Sequence, residues 1–137
     1  MILDDFATYI AANSTVFTVG VNLAKSINLD SAPVPDTITS LYEQPGFSPV
    51  HVFSTGNPVD RAYSQPAVQT LSRSTSYQTA RNHAEIVFNL LDGYSGSLPT
   101  ATGTNYLSIV AVQSPFSIGR DKNDRFLISC NYEVQHV

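Results

Sequence analysis

The pattern of apolar and polar residues changes its period near the middle of the chain, within residues 68–93. In its first part Val68, Thr70 and Ser72 point to one face of a strand, and the residues between them point to the other. From residue 77 onward apolar residues recur at steps of three or four, which places them on one side of a helix. These residues are Tyr77, Ala80, Ala84, Val87, Phe88 and Leu91. The segment therefore predicts a strand, a short turn and an amphipathic helix that packs on a sheet.

Residues at both ends of the second part favour this helix. Thr75 and Gln78 have the spacing of a capping box, in which the two side chains bind free backbone N–H groups at a helix start. At the other end Asp92-Gly93 predicts the end of the helix, because glycine readily adopts the left-handed conformation that closes helices.

Five further segments have a regular pattern. Residues 2–12 carry apolar residues at helical spacing, with Asp4 and Asp5 in the first turn, where the helix dipole favours negative charge. Strands are predicted over residues 17–24, 36–44, 105–114 and 126–134. The 105–114 strand is apolar on both faces, so we expect it in the centre of the sheet. With the strand at 68–73, the predicted order is α-β-β-β-α-β-β.

Irregular segments separate these elements. Pro45-Gly46 is expected to end the 36–44 strand, and residues 45–66, with repeated prolines and glycines, predict a long loop or an edge hairpin. Such a segment is either a binding loop or arm that reaches a neighbour, or a loop without a role, and the sequence leaves both open. Residues 94–104 are rich in Ser, Gly and Thr and predict another loop.

Charged residues are scarce in this chain of 137 residues, a length that suits a single domain over residues 1–137. They make up 13% of the chain, hydrophobic residues make up 42%, and the net charge is −4. Large protein contacts would explain this scarcity, and a surface of uncharged polar residues would explain it equally well. The basic residues form no run and no apolar stretch has the length of a membrane span, so we expect neither direct sequence-specific nucleic-acid binding nor a membrane partner.

The sequence lacks the motifs that mark catalytic or cofactor sites. It has no glycine-rich phosphate loop and no metal-ligand spacing, and its three histidines lie far apart. They are His51, His83 and His136, each more simply a surface or hydrogen-bonded residue. The lone Cys130 lies within an alternating strand pattern and is expected to be a buried thiol. Asp121–Asp124 predicts a hairpin turn capped by Asp and Asn rather than a calcium loop. We therefore expect no cofactor, no metal and no catalytic residue.

Four arginines bracket the predicted elements. They are Arg73, Arg81, Arg120 and Arg125. Arginine suits protein interfaces, because its planar head pairs with carboxylates and stacks on aromatic rings. Internal salt bridges to Glu85, Asp121 or Asp124 are the alternative, and the sequence leaves both open.

Two stretches resemble the tail terminator proteins of long-tailed bacteriophages, also called minor capsid or tail completion proteins. The first covers residues 68–81 and is similar to the family's strand-to-helix signature; the second covers residues 115–134 and is similar to its C-terminal run. The positions of interest are Arg73, Tyr77 and Arg81 in the first stretch and Arg120, Asp121 and Arg125 in the second. One departure is Gln44-Pro45-Gly46, which stands where the family usually has a glycine pair.

The resemblance implies a small α+β protein of one domain, with a mixed or antiparallel sheet of four to five strands flanked by two helices. It implies that the protein is not an enzyme and that it assembles as a homo-oligomeric ring, a hexamer, on the end of the tail tube. The ring would stop tail polymerisation and join the tail to the head, so its partners would be the tail tube protein and the head-tail connector protein. The implied location is the head-proximal end of the virion's tail, after assembly in the host cytoplasm. The six residues named above would be its interaction residues.

Two other functions remain open from the sequence. A head-completion or connector adaptor protein of the same virion would have a similar pattern. A small ligand-binding or hydrolytic α+β domain that uses His51 or His83 would need a pocket with convergent polar groups.

Overall fold

Two helices pack on a seven-stranded sheet in the computed structural model, which describes residues 2–29, 34–51 and 61–137. The helices are α1 (Ile2–Ala12) and α2 (Tyr77–Leu91). The strands are β1 (Leu23–Lys25), β2 (Ile38–His51), β3 (Arg61–Ser74), β4 (Tyr94–Leu98), β5 (Thr104–Ala111), β6 (Phe116–Arg120) and β7 (Phe126–His136). Both helices lie where their apolar spacing predicts them.

Strand β7 is the centre of the sheet. The strands follow the order β1-β2-β3-β7-β5-β4, and β6 pairs with the first part of β7, on the side that β5 occupies further along. Strand β1 is parallel to β2, and the other pairs are antiparallel. The sheet is therefore mixed, and β7 contacts three other strands.

Both helices cover the same face of the sheet, and the main core lies between them and that face. Helix α1 contributes Phe6 and Ile10 to this core, and helix α2 contributes Val87 and Leu91. The sheet contributes Leu23, Leu41, Val68, Leu98, Tyr106, Ile109, Cys130, Tyr132 and Val134. Cys130 is buried, as the alternating pattern predicted.

The α+β class with two helices fits the structure, but the predicted number of four to five strands is wrong. Tyr94–Leu98 forms β4 where a loop was predicted, because pairing with β5 compensates for the low strand propensity of Ser and Gly. Phe116–Arg120 forms β6, within a segment predicted only as a connection. These two additional strands follow α2, so the observed order is α-β-β-β-α-β-β-β-β.

The strand predicted over residues 17–24 is wrong except at its end, where β1 begins. The N–H groups of Val21 and Asn22 donate to the carbonyl of Thr18, and Gly20 has a φ of +85°, which defines a turn. The Asn22 side chain accepts a bond from the N–H of Thr18 at 2.8 Å and closes this turn. Local side-chain bonding therefore overrides the alternating pattern.

Strands β2 and β3 extend past their predicted ends as the stem of a hairpin. Strand β2 continues through Pro45-Gly46 to His51, and its register against β3 shifts after Gln44. A Cβ atom on Gly46 would lie 2.0 Å from the carbonyl oxygen of Gln65, so only glycine permits this close approach. Residues 52–60, in the middle of the loop or hairpin predicted over 45–66, lie outside the described residues.

Helix α2 is capped by Ser76 and not by Thr75. The Ser76 hydroxyl accepts a bond from the N–H of Thr79 at 3.4 Å, while Ser74 at the end of β3 binds the N–H of Ser76. The cap therefore lies one residue later than the capping box predicted. The end of the helix is as predicted, since Gly93 has a φ of +81°.

Strand β5 lies inside the sheet as predicted, but only one of its faces is buried. Tyr106 and Ile109 point into the core, and the Tyr106 hydroxyl donates to the Asp5 carboxylate at 2.7 Å. Leu107 and Val110 remain 39% and 46% exposed. Burial on both faces was therefore a wrong prediction, because both helices lie on the same side of the sheet.

Candidate assembly surfaces

Asp36 connects two arginines that lie far apart in the sequence, Arg73 and Arg125. Its backbone carbonyl accepts a bond from Arg73 Nε at 3.3 Å, and its carboxylate accepts one from Arg125 Nη1 at 3.1 Å. Arg73, only 1% exposed, also donates to the carbonyls of Leu29 and Pro35, both at 2.5 Å. Arg73 therefore fastens the segment before β2 onto the sheet.

Asp121 binds Arg125 from the other side. Its carboxylate accepts bonds from Arg125 Nε at 2.7 Å and from the backbone N–H groups of Asn123 and Arg125. Burial alone would raise the pKa of Asp121, but these hydrogen bonds outweigh burial and lower it. The predicted turn capped by Asp is confirmed, and Arg125 is buried within it. Three of the six predicted interaction residues, Arg73, Asp121 and Arg125, thus bind other parts of the same chain.

The remaining three residues lie at the surface, and two of them contact the ring of Phe126. The Tyr77 ring lies edge-on to it with centroids 5.6 Å apart, and the Arg120 guanidinium carbon lies 4.4 Å from its centroid. Arg81 follows Tyr77 by one helical turn and pairs with Glu85 at 3.2 Å. We name Tyr77, Arg81, Arg120 and Phe126 the Phe126 cluster. Exposed arginine and tyrosine side chains of this kind are enriched at protein interfaces.

Part of the second face of the sheet is uncovered in the described part of the chain, and we name it the open face. It comprises Val110, Val112, Phe116 and Glu133. Val110 is paired with Glu133, and the N–H of Val112 donates to the carbonyl of Asn131 at 2.8 Å. The side chains of Val110, Val112 and Phe116 are 46%, 58% and 38% exposed. This surface is apolar and contains one carboxylate.

A groove of about 380 Å³ borders the open face, between Val112 and the stem of the β2–β3 hairpin. Phe47 lines its hairpin side and is 63% exposed, and Asn131 and Glu133 also line it. Glu133 makes no ion pair with the residues that the structure describes. This surface was not predicted from the sequence. The signal that could have indicated it is the stretch of residues 93–119, which contains no charged residue.

The histidine side chains within the described ranges do not converge. The His83 ring lies 5.2 Å from that of Phe17, and burial lowers its pKa. The His136 ring lies 5.6 Å from that of Tyr106, and the His51 side chain lies outside the described residues. No group of three potential metal ligands occurs among residues 2–29, 34–51 and 61–137. In the same ranges no helix combines the length and apolar character of a membrane span.

The fold is similar to that of a chain in a solved virion structure. A chain in the structure "Virion of native gene transfer agent (GTA) particle" matches it with a TM-score of 0.61, over 97% of this chain and 95% of that chain, at 13% sequence identity. No curated protein matches the sequence. Residues 27–137 match the family model of the bacteriophage tail terminator protein, so the chain belongs to this family. It is a structural protein of a phage-type virion and not an enzyme.

Proposed function

We propose that the protein caps the tail tube as a ring of six subunits, stops tail polymerisation and joins the tail to the head. The observation that carries this proposal is the presence of two chemically different exposed surfaces on one subunit of a tail terminator protein. A ring of identical subunits needs two different contact patches, because each subunit binds one neighbour with each patch. The Phe126 cluster and the open face are such a pair.

The Phe126 cluster lies on the face that carries the helices. Phe126 packs against Ala80 and Ala84 of α2, so its position is fixed before any partner binds. Arg120 and Tyr77 cover its ring and remain accessible. Rigid aromatic and arginine side chains lose little conformational freedom on binding, which favours their use as anchors. Asp121 and Arg125 contribute by holding the turn that carries Arg120.

Strand β6 supplies a second argument for assembly. All five of its residues are exposed, and among the described residues it is hydrogen-bonded to β7 alone. Its apolar side chains are Phe116 and Ile118, 38% and 49% exposed. A free strand edge with apolar side chains tends to associate with another chain. We infer that the tail tube protein and the head-tail connector protein are partners at the head-proximal end of the tail, with assembly in the host cytoplasm.

The first test is the distribution of tail lengths in a lysate of the parent phage that lacks this gene, measured by negative-stain electron microscopy. The proposal expects overlong tails beside filled heads without tails. Tails of normal length that fail to join defective heads would instead assign the protein to head completion. Normal tails on intact virions would refute both functions.

Arg120→Ala provides a second test that leaves the core untouched. Arg120 is exposed, and its pair with Asp124 at 3.1 Å is a surface pair, so the variant should fold like the wild type. We expect complementation with this variant to lower the yield of joined virions. Lys25→Ala is a matched control, because it removes another surface cation, paired with Asp4, on a different part of the molecule. Equal yields for both variants would exclude the Phe126 cluster as an assembly surface.

A further inference from the structure

The two exposed surfaces of the subunit are complementary in charge and in apolar character. On the open face, Glu133 has no ion-pair partner among the described residues and is paired in the sheet with the exposed Val110. Beside the Phe126 cluster, Lys122 lies in the turn between β6 and β7 and likewise makes no ion pair in the described ranges. Each surface therefore combines apolar groups with one uncompensated charge, and the two charges are opposite.

Hydrogen bonds and ion pairs hold the turn that carries Lys122. The Asp121 carboxylate binds the backbone N–H groups of Asn123 and Arg125, and the N–H of Asp124 donates to the Asp121 carbonyl at 3.0 Å. The carboxylate of Asp124 pairs with Arg120, and that of Asp121 pairs with Arg125. The two acidic residues of the turn are thus already paired, and the charge of Lys122 remains. A turn ordered in advance loses little conformational entropy when it docks.

The receiving surface contains a groove. The groove beside the open face has a volume of about 380 Å³, with Phe47 on one side, Val112 on the other and Glu133 among its lining residues. Its exposed apolar groups match the aromatic rings of Tyr77 and Phe126, and Glu133 matches a lysine. Charge complementarity around an apolar contact fixes the register of two partners and excludes wrong ones.

We infer that the open face of one copy binds the Phe126 cluster and the Lys122 turn of the next copy. The occupant of the groove is therefore a second copy of this chain, and Glu133 faces Lys122 across the contact. The two surfaces are different and lie on opposite faces of the sheet, so a contact that joins one to the other is head-to-tail. Such a contact repeats from subunit to subunit and closes into a ring when the rotation allows it. This inference rests on the ring in the proposed function and identifies the surfaces that build it.

The test reverses the charge of Lys122 in one variant and that of Glu133 in another, and then mixes the two variants. Lys122→Glu and Glu133→Lys are made separately, and the association of each purified variant is measured by sedimentation velocity at several concentrations. Each variant alone should associate at least tenfold more weakly than the wild type, because like charges then meet across the contact. In an equimolar mixture the two variants should associate as strongly as the wild type, because every contact in an alternating head-to-tail order again joins a carboxylate to an ammonium group. Glu43→Lys is the control, since Glu43 is exposed, lies outside the open face and makes no ion pair with residues that the structure describes.

Unchanged association of both single variants, or no recovery in their mixture, would overturn the inference. If the wild-type protein is monomeric in solution, the double variant Lys122→Cys/Glu133→Cys decides the matter in purified tails treated with a short bismaleimide. Covalent dimers and larger multimers would support the contact, and their absence would refute it. Cys130 is buried and does not compete for the reagent. Overlong tails in the gene-deficient lysate would still support the terminator function if the association and crosslinking tests failed. Only the assignment of these two surfaces would then be rejected.

Discussion

Replacement of Arg73 by Met tests whether the buried arginine holds the subunit together. Met retains an unbranched side chain but removes the guanidinium, which donates to the carbonyls of Leu29, Pro35 and Asp36. Hydrogen bonds to a charged group contribute about 1.5–3 kcal/mol each. Their sum overestimates the loss, because the freed carbonyls regain water once the segment before β2 moves away from the sheet. We expect the free energy of unfolding to fall by about 3 kcal/mol.

Urea and thermal unfolding, followed by circular dichroism, measure this loss. For 137 residues, an unfolding entropy of about 2.1 cal/mol/K per residue converts about 3 kcal/mol into a Tm lower by about 10 °C. Arg73→Lys should lose nearly as much, because an ammonium group donates from one point and cannot reach three separate carbonyls.

Arg81→Met is the matched control for Arg73→Met. Arg81 is partly exposed and pairs with Glu85 within one turn of α2, an arrangement that contributes about 0.5 kcal/mol or less. If Arg73→Met and Arg81→Met both lose less than about 0.5 kcal/mol, the role assigned to Arg73 is refuted. A large loss in both variants would show that methionine at a surface position is itself disruptive.

Three further predictions concern stability and access to the core. Tyr106→Phe should lower the free energy of unfolding in urea by about 1–3 kcal/mol, because the buried Asp5 carboxylate loses the hydrogen bond from the Tyr106 hydroxyl. Tyr77→Phe is the control and should match the wild type in the same measurement, because the Tyr77 ring is exposed. The pKa of Asp121 is lower in the folded protein than in the unfolded chain, so the stability that it contributes is present above about pH 4 and is lost as the pH falls through its folded pKa. Asp121→Asn should therefore lose less stability than the wild type between pH 6 and pH 3, and parallel pH profiles would contradict this. Cys130 should react with a thiol reagent only at the rate of unfolding, because it is buried and burial raises its pKa; rapid reaction in buffer would disprove the packing of β7.

Elements with a strong local pattern could be predicted from the sequence. Helix α1 has the predicted bounds, and α2 lies at its apolar stripe, because a stripe at helical spacing specifies one buried face without any knowledge of the partner. The strand at the end of the chain was also predicted, since Ile128, Cys130 and Tyr132 recur at every second position and are all buried on the core side. Local information sufficed in these cases.

Elements that depend on distant pairing could not be predicted in this way. Strand β4 has the sequence Tyr94-Ser-Gly-Ser-Leu98, which favours a loop, and it is a strand only because β5 supplies its hydrogen bonds. Residues 17–22 show the opposite effect, since their alternation favours a strand but Gly20 and Asn22 form a turn. In both cases interactions that single-residue preferences omit decide the structure.

The candidate site shows the same division. The sequence identified the arginines but not which of them face inward. Arg73 and Arg125 both bind Asp36, which lies 37 residues before Arg73 and 89 before Arg125, and a contact over this distance cannot be predicted from the local pattern. The structure brings Tyr77 and Arg120 together at Phe126, a residue that the sequence reasoning treated only as part of a strand. The open face was missed because Val110 in β5 and Val112 directly after it look like core residues until the position of both helices is known.

The scarcity of charge in the sequence gains a physical explanation from the position of the uncharged stretch. Residues 93–119 contain no charged residue, and they form β4, β5 and most of β6, which make up one side of the sheet. Proteins that remain monomeric usually protect such an edge with lysine or another charge, because a free apolar edge promotes association. Here the protection is missing over 27 consecutive residues. A surface of this kind is disadvantageous for an isolated subunit and advantageous for one that is covered in an assembly. A subunit that functions only in association with other chains therefore explains the composition and the open face, and it agrees with membership of a virion protein family.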